Sequence, residues 1–145
     1  EIDIQFLLQH PRIVQILFHF RDSESVYLGM EFAAGGGMFD KLTKAGKFSN
    51  ANAAQYFYET CDALEYMHQR KIIHRDIKPE NILMDKDGHV KLADFGWSNA
   101  MESQVLRQTF CGTPDYLAPE MIRGQGHKES LDMWEMGVLL YEMLV

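Results

Sequence analysis

His74-Arg75-Asp76-Ile77-Lys78-Pro79-Glu80-Asn81 is the stretch on which the reading of this chain turns. It brings a carboxylate, an ammonium and a carboxamide close together in sequence. Taken alone, such a run also suits a charged surface loop after a helix, so its surroundings decide. Upstream, Ser49 is a good N-cap, and a helix is expected from there to about Gln69. Phe57, Cys61, Leu64 and His68 recur at helical spacing within it and are its expected buried face. Downstream, Ile82 to Met84 and Val90 to Ala93 read as short strands, and Asp87-Gly88 between them signals a hairpin. Residues 94–116 have no clear period and read as a long loop, which in a compact domain is usually functional.

Further out, Glu1 to Gln9 reads as a helix through Ile4, Leu7 and Leu8, ended by His10-Pro11. Ile13 to Phe20 and Val26 to Glu31 are rich in β-branched and aromatic residues and read as two strands. Gly35-Gly36-Gly37 is expected to be a flexible joint, a candidate hinge between two lobes, followed by a short helix from Met38 to Lys44. Met133 to Val145 reads as an apolar helix with no stop signal. A chain that opens and closes inside helices is expected to be a fragment.

The 145 residues suffice for one domain with a core, and 46% hydrophobic with 24% charged residues argues against disorder. A net charge of -7 disfavours a nucleic-acid or acidic-membrane binder and fits basic partners. No charge-free apolar run approaches the ~18 residues of a membrane span. Cys61 and Cys111 form no metal-type pair and no disulfide framework, which suits a reducing cytoplasmic or nuclear compartment.

Two more motifs give the central stretch its meaning. Asp94-Phe95-Gly96 follows Asn81 by 13 positions, across the expected hairpin, and Ala118-Pro119-Glu120 follows the long loop. In this order the three resemble the catalytic loop, metal-binding loop and activation-segment end of eukaryotic protein kinases. The resemblance covers essentially the whole chain. It implies an α+β, two-lobed protein-kinase-like fold that is partial here. Residues 1–31 would be the end of the small β-rich lobe, 32–37 the hinge, and 38–145 the first half of the mainly helical large lobe.

It also implies an ATP-dependent serine/threonine kinase using Mg2+, with Lys78-Pro79-Glu80 as the serine/threonine-type insert. Phosphoryl transfer asks for positioning and charge stabilisation more than covalent chemistry. Asp76 would be the base on the substrate hydroxyl, and Lys78 would offset charge on the transferring phosphate. Thr113 would contact both. Asn81 and Asp94 would offer magnesium the hard oxygens it prefers. Glu31, Phe32 and Ala33 would meet adenine through the backbone, with Met30 behind them and Leu83 and Glu80 beside the nucleotide. Glu80 would also bind an arginine of the substrate.

Arg75 would pair with a phosphorylated Thr109 to order the loop. Phe95 and Gly96 would be regulatory, Phe95 stacking with His74, Ile16 and Gln5 in a column joining the lobes. Glu1 resembles the helix glutamate that pairs with an ATP-anchoring lysine, and that lysine is not among these residues. Asp132 would accept backbone N–H bonds from the catalytic loop, and with Trp134 it resembles a buried anchoring helix.

Trp97-Ser98 after Asp-Phe-Gly, with Gln5, Asp115-Tyr116-Leu117 and His127, is similar to the Aurora group. That implies an activator protein and work at the spindle, centrosome or chromosomes. Departures are Pro114, Ala118, Arg12, the triple glycine, and Glu135, which stands where relatives usually carry serine and has no partner readable from sequence. The competing reading is a pseudokinase or docking module, against which the intact Asp76, Lys78, Asn81 and Asp94 speak. The 145 residues alone are expected to transfer little phosphate.

Overall fold

The computed structural model describes residues 7–93, 99–100, 114–124 and 128–145. The first strands among the described residues, β1 (Ile16–Arg21) and β2 (Val26–Met30), form an antiparallel hairpin. Its turn is closed by the Asp22 carboxylate, which accepts the amides of Glu24 and Ser25, both at 2.8 Å. The strand begins three residues later than the β-rich run Ile13 to Phe20 suggests. Ile13 makes a parallel bridge to Leu92 instead, and the Val14 amide donates to the Leu92 carbonyl at 2.9 Å. These residues are the seam between the hairpin and the rest.

Below the seam, β3 (Gly36–Gly37) precedes helix α1 (Met38–Ala45) and helix α2 (Asn50–Gln69). Ser49 caps α2 as its sequence dictates, its Oγ accepting the Asn52 amide at 3.2 Å. Such a cap is worth about 1 kcal/mol. Then come β4 (Ile72–Ile73), a 3-10 turn at Pro79–Asn81, β5 (Ile82–Met84) and β6 (Val90–Leu92). β3, β5 and β6 form one antiparallel sheet with β5 in the middle. β7 (Asn99–Ala100) pairs with β4. A second 3-10 turn, Pro114–Tyr116, leads to the one-turn helix α3 (Pro119–Ile122), opened by proline, and then to α4 (Ser130–Leu144).

The glycine run is not a free joint. Gly36 and Gly37 pair with Met84 and Leu83, and the Gly35 amide donates to the Met84 carbonyl at 2.9 Å. A Cβ on Gly35 would stand 2.3 Å from the Asp85 carbonyl oxygen, so close backbone approach is what selects glycine there.

One apolar core lies between α1, α2, α4 and the β5–β6 strands, built from Met38, Leu64, Met67, Ile82, Leu92 and Leu139 among others. The buried face of α2 is turned from the expected one. Ala53, Glu59, Thr60, Ala63, Leu64 and Met67 are buried, while Phe57 and Cys61 sit at the rim. The apolar pattern misleads because two of the buried residues are polar and have partners: Thr60 Oγ1 donates to the Tyr56 carbonyl, and Glu59 accepts from the β6 side.

Candidate active site

The loop from β4 to β5 carries the quoted stretch, and its backbone is held by side chains. Asp132, on the first turn of α4, is fully buried. It accepts the His74 amide at 3.0 Å and the Arg75 amide at 2.8 Å. The Asp76 amide donates to Nδ1 of His74 at 3.3 Å, and the Ile77 amide donates to Glu135 Oε2 at 2.9 Å. Four consecutive amides are therefore satisfied without a regular ladder, as buried N–H groups require. Arg75 accordingly adopts φ 73, a conformation that disfavours a side chain and that the surrounding bonds must hold. The expected role of Asp132 is met. Trp134 differs, being 46% exposed on the opposite side of α4.

His74 is buried, and its ring joins two segments. Nδ1 faces the Asp76 amide and Nε2 lies 3.1 Å from the Ala93 carbonyl. A neutral ring donating from Nε2 and accepting at Nδ1 satisfies both contacts. The Ala93 amide in turn donates to the Asn81 carbonyl at 2.9 Å. The residue before Asp94 is thus fixed to the catalytic loop from both of its main-chain polar groups.

Asp76, Lys78 and Asn81 come together. Asn81 Nδ2 donates to the Asp76 carbonyl and to Asp76 Oδ2, both at 2.8 Å. Lys78 Nζ lies 2.9 Å from the same Oδ2, and its side chain is 19% exposed, so it is not a solvated surface lysine. With both amide hydrogens of Asn81 directed at Asp76, the carbonyl oxygen is the face it can offer a cation.

Among the described residues no group of three or more His, Cys, Asp or Glu side chains could hold a metal ion. The described donors therefore amount to one neutral amide oxygen beside one carboxylate. That is a fit for a hard cation arriving with phosphate oxygens of its own. Asp94, Phe95, Gly96, Thr109, Thr113, Gln5 and Glu1 lie outside the described residues.

The expected adenine strip is partly engaged. The Glu31 amide donates to the Gln15 carbonyl at 3.0 Å. Its carboxylate accepts the Gln15 amide at 2.8 Å and both oxygens meet Lys91 Nζ at 2.9 Å. The Ala33 carbonyl accepts the Gly36 amide at 3.1 Å. Phe32 is 88% exposed, and Met30 is exposed rather than strand core. Leu83 is half-buried on the middle strand, next to Lys91 and Gly37.

Three acidic residues of structural consequence were not among the sequence candidates. Glu59 accepts the Val90 amide at 2.7 Å and faces His89 Nδ1 at 2.6 Å and Arg12 at 3.7 Å, joining α2 to β6 and to the seam. Burial alone would raise its pKa, but the Val90, His89 and Gln55 hydrogen bonds hold it below the usual range. Glu142 accepts the Tyr116 hydroxyl, and burial first, then that bond, push the Tyr116 pKa up. Glu80, exposed, is close enough to add to that shift. Glu135 is buried, and its carboxyl is pushed up to about 8, chiefly by desolvation and then by Asp132 and Asp76, against the Ile77 amide and Lys78.

A mixed strand-and-helix domain whose buried His-Arg-Asp loop is clamped by an aspartate of a central helix is a protein-kinase arrangement. The chain belongs to the protein kinase family, whose domain model matches residues 1–145. Over all 145 residues it is 50% identical to "Aurora/IPL1-related protein kinase 2" of Caenorhabditis elegans, covering 47% of that protein. It is likewise 50% identical to "Aurora kinase B-A" of Xenopus laevis, covering 40%. "Aurora kinase A-A" of Xenopus laevis is 48% identical, with 35% of its length covered. The chain thus spans less than half the length of these relatives.

Proposed function

We propose that the protein transfers the γ-phosphate of ATP to serine or threonine hydroxyls of protein substrates in a basic sequence context. The observation that carries this reading is the convergence of Asp76, Lys78 and Asn81 within hydrogen-bonding distance of one carboxylate oxygen. In this reading Asp76 orients the incoming hydroxyl and takes its proton. Lys78 swings from Asp76 to the transferring phosphoryl oxygens and offsets their charge. Asn81 holds Asp76 from the side and turns its carbonyl oxygen to magnesium, with Asp94 as the second protein ligand. Asn81 and Asp94 would hold magnesium, which would supply charge neutralisation at the phosphates.

Glu31 and Ala33 would meet adenine, with Phe32 between them, Leu83 beneath the base, and residues 32–37 as the hinge. Glu80, near the Tyr116–Glu142 pair, gives substrate arginines an acidic surface. Arg75 would pair with phosphorylated Thr109 and Thr113 would steady Asp76 and Lys78. Support for the first comes from Arg75 Nε, which is buried with no hydrogen-bond partner among the described residues. Glu1, Phe95 and Gly96 keep the regulatory parts given above. A role in cell division, with an activator protein, at the spindle, centrosome or chromosomes, is what the Aurora resemblance implies. No helix among the described residues is long and apolar enough to cross a membrane.

The test is Asp76→Asn in the full-length protein, assayed with a basic Ser/Thr peptide and Mg-ATP. Turnover is expected to drop by about 10²–10⁴-fold while nucleotide binding persists. Near-normal turnover would remove Asp76 from the role of base.

A further inference from the structure

The clamp beneath the catalytic loop has two acidic members, and the sequence gives a role to only one of them, Asp132. Asp132 and Glu135 are three residues apart on α4, which puts them on one face of the helix. Asp132 takes the amides on the N-terminal side of Asp76, and Glu135 takes the amide on its C-terminal side, Ile77, at 2.9 Å. The peptide before Asp76 is held through the His74 ring, and the peptide after it by Glu135 at its N–H and by Asn81 at its carbonyl.

We propose that Glu135 is a positioning residue of the phosphotransfer centre, acting through the Ile77 amide to set the backbone between Asp76 and Lys78. This rests on the kinase reading above. Glu135 is 2% exposed, so no water replaces the bond it makes. The groups facing it are Asp132 on its own helix, Asp76 and Lys78 on the loop, and Tyr116 on the second 3-10 turn, with His68 of α2 reaching it only through Asp132 at 2.6 Å. Two of these, Asp132 and Asp76, oppose a negative charge, Lys78 favours it, and Tyr116 is neutral. The carboxyl thus serves at neutral pH as an uncharged acceptor, and its raised pKa agrees. A glutamine keeps the shape and the acceptor, while a leucine keeps the volume and removes the acceptor.

The test compares Glu135→Gln and Glu135→Leu in the full-length protein by steady-state kinetics and by amide hydrogen exchange at Ile77. The glutamine variant should stay within about 3-fold of wild-type kcat. The leucine variant should lose at least about 10-fold in kcat, with the KM for ATP unchanged and Ile77 exchange faster by a similar factor. A leucine variant with wild-type kcat and wild-type Ile77 protection overturns the proposal, as does a glutamine variant that falls as far as leucine. Should wild type itself transfer no phosphate, the kinase reading fails separately, and Ile77 exchange in the two variants still decides whether Glu135 holds the loop. If leucine unfolds the protein, retention of kcat and Ile77 protection by glutamine, against their loss in Glu135→Ser, makes the same decision.

Discussion

The catalytic loop and the β1–β2 hairpin are both short irregular or two-stranded pieces, yet they are held in opposite ways. Around the loop nearly everything is buried: His74, Asp76, Ile77, Asn81, Asp132 and Glu135 are each no more than 5% exposed. Polar groups there find one another at 2.6–3.3 Å. In the hairpin Phe18, Phe20 and Tyr27 stack in a row on the surface and remain 56%, 55% and 46% exposed. The hairpin keeps its register through its backbone ladder and ring contacts, and a two-stranded ribbon of that kind is marginal on its own. The lesson is that satisfied buried polar groups can specify an irregular backbone, whereas aromatic content alone leaves this ribbon at the surface.

The largest expected effect is at the clamp. Asp132→Ala leaves the His74 and Arg75 amides buried without acceptors, and should cost the 145-residue chain about 3–5 kcal/mol in chemical denaturation. A loss below about 1 kcal/mol would erase the contrast.

Next comes pH. Glu135 is pushed up to about 8 in the folded state from 4.5, so folding binds its proton. Its contribution is fully present below about pH 4.5 and is lost as pH rises to about 8. Glu135→Gln does not titrate, so its stability relative to wild type should climb across that window and level off above it. The total gain is on the order of 3–5 kcal/mol. Parallel stability–pH curves for the two proteins would show that Glu135 is not forced toward its neutral form.

The smallest effect should come from the hairpin. Phe18→Thr removes a large ring that is half in water and keeps a β-branched residue, so its cost should stay under about 1 kcal/mol. A loss as large as that of Asp132→Ala would mean the ribbon is as tightly integrated as the loop.

How far the sequence reaches differs between these regions too. The order of His74-Arg75-Asp76, Asn81, and the two later motifs reveals the family, because those residue types at that spacing are distinctive. The Ser49 cap and the Asp85–Gly88 turn were legible because capping and turn geometry are local. The partner of Glu135 was not, since Ile77 lies 58 positions away and only tertiary packing brings it near. The buried face of α2 was misjudged for a related reason. Glu59 is polar in the sequence yet inside the fold, because Val90, His89 and Arg12 arrive from elsewhere to receive it. The glycine run was misjudged because the same residue type serves both looseness and close contact.

The two grips on Ala93 carry a consequence beyond stability. Its amide is tied to the Asn81 carbonyl and its carbonyl to the His74 imidazole. One small residue thereby ties the turn at Asn81 to the turn at His74, so loosening either bond would be felt by both backbones at once.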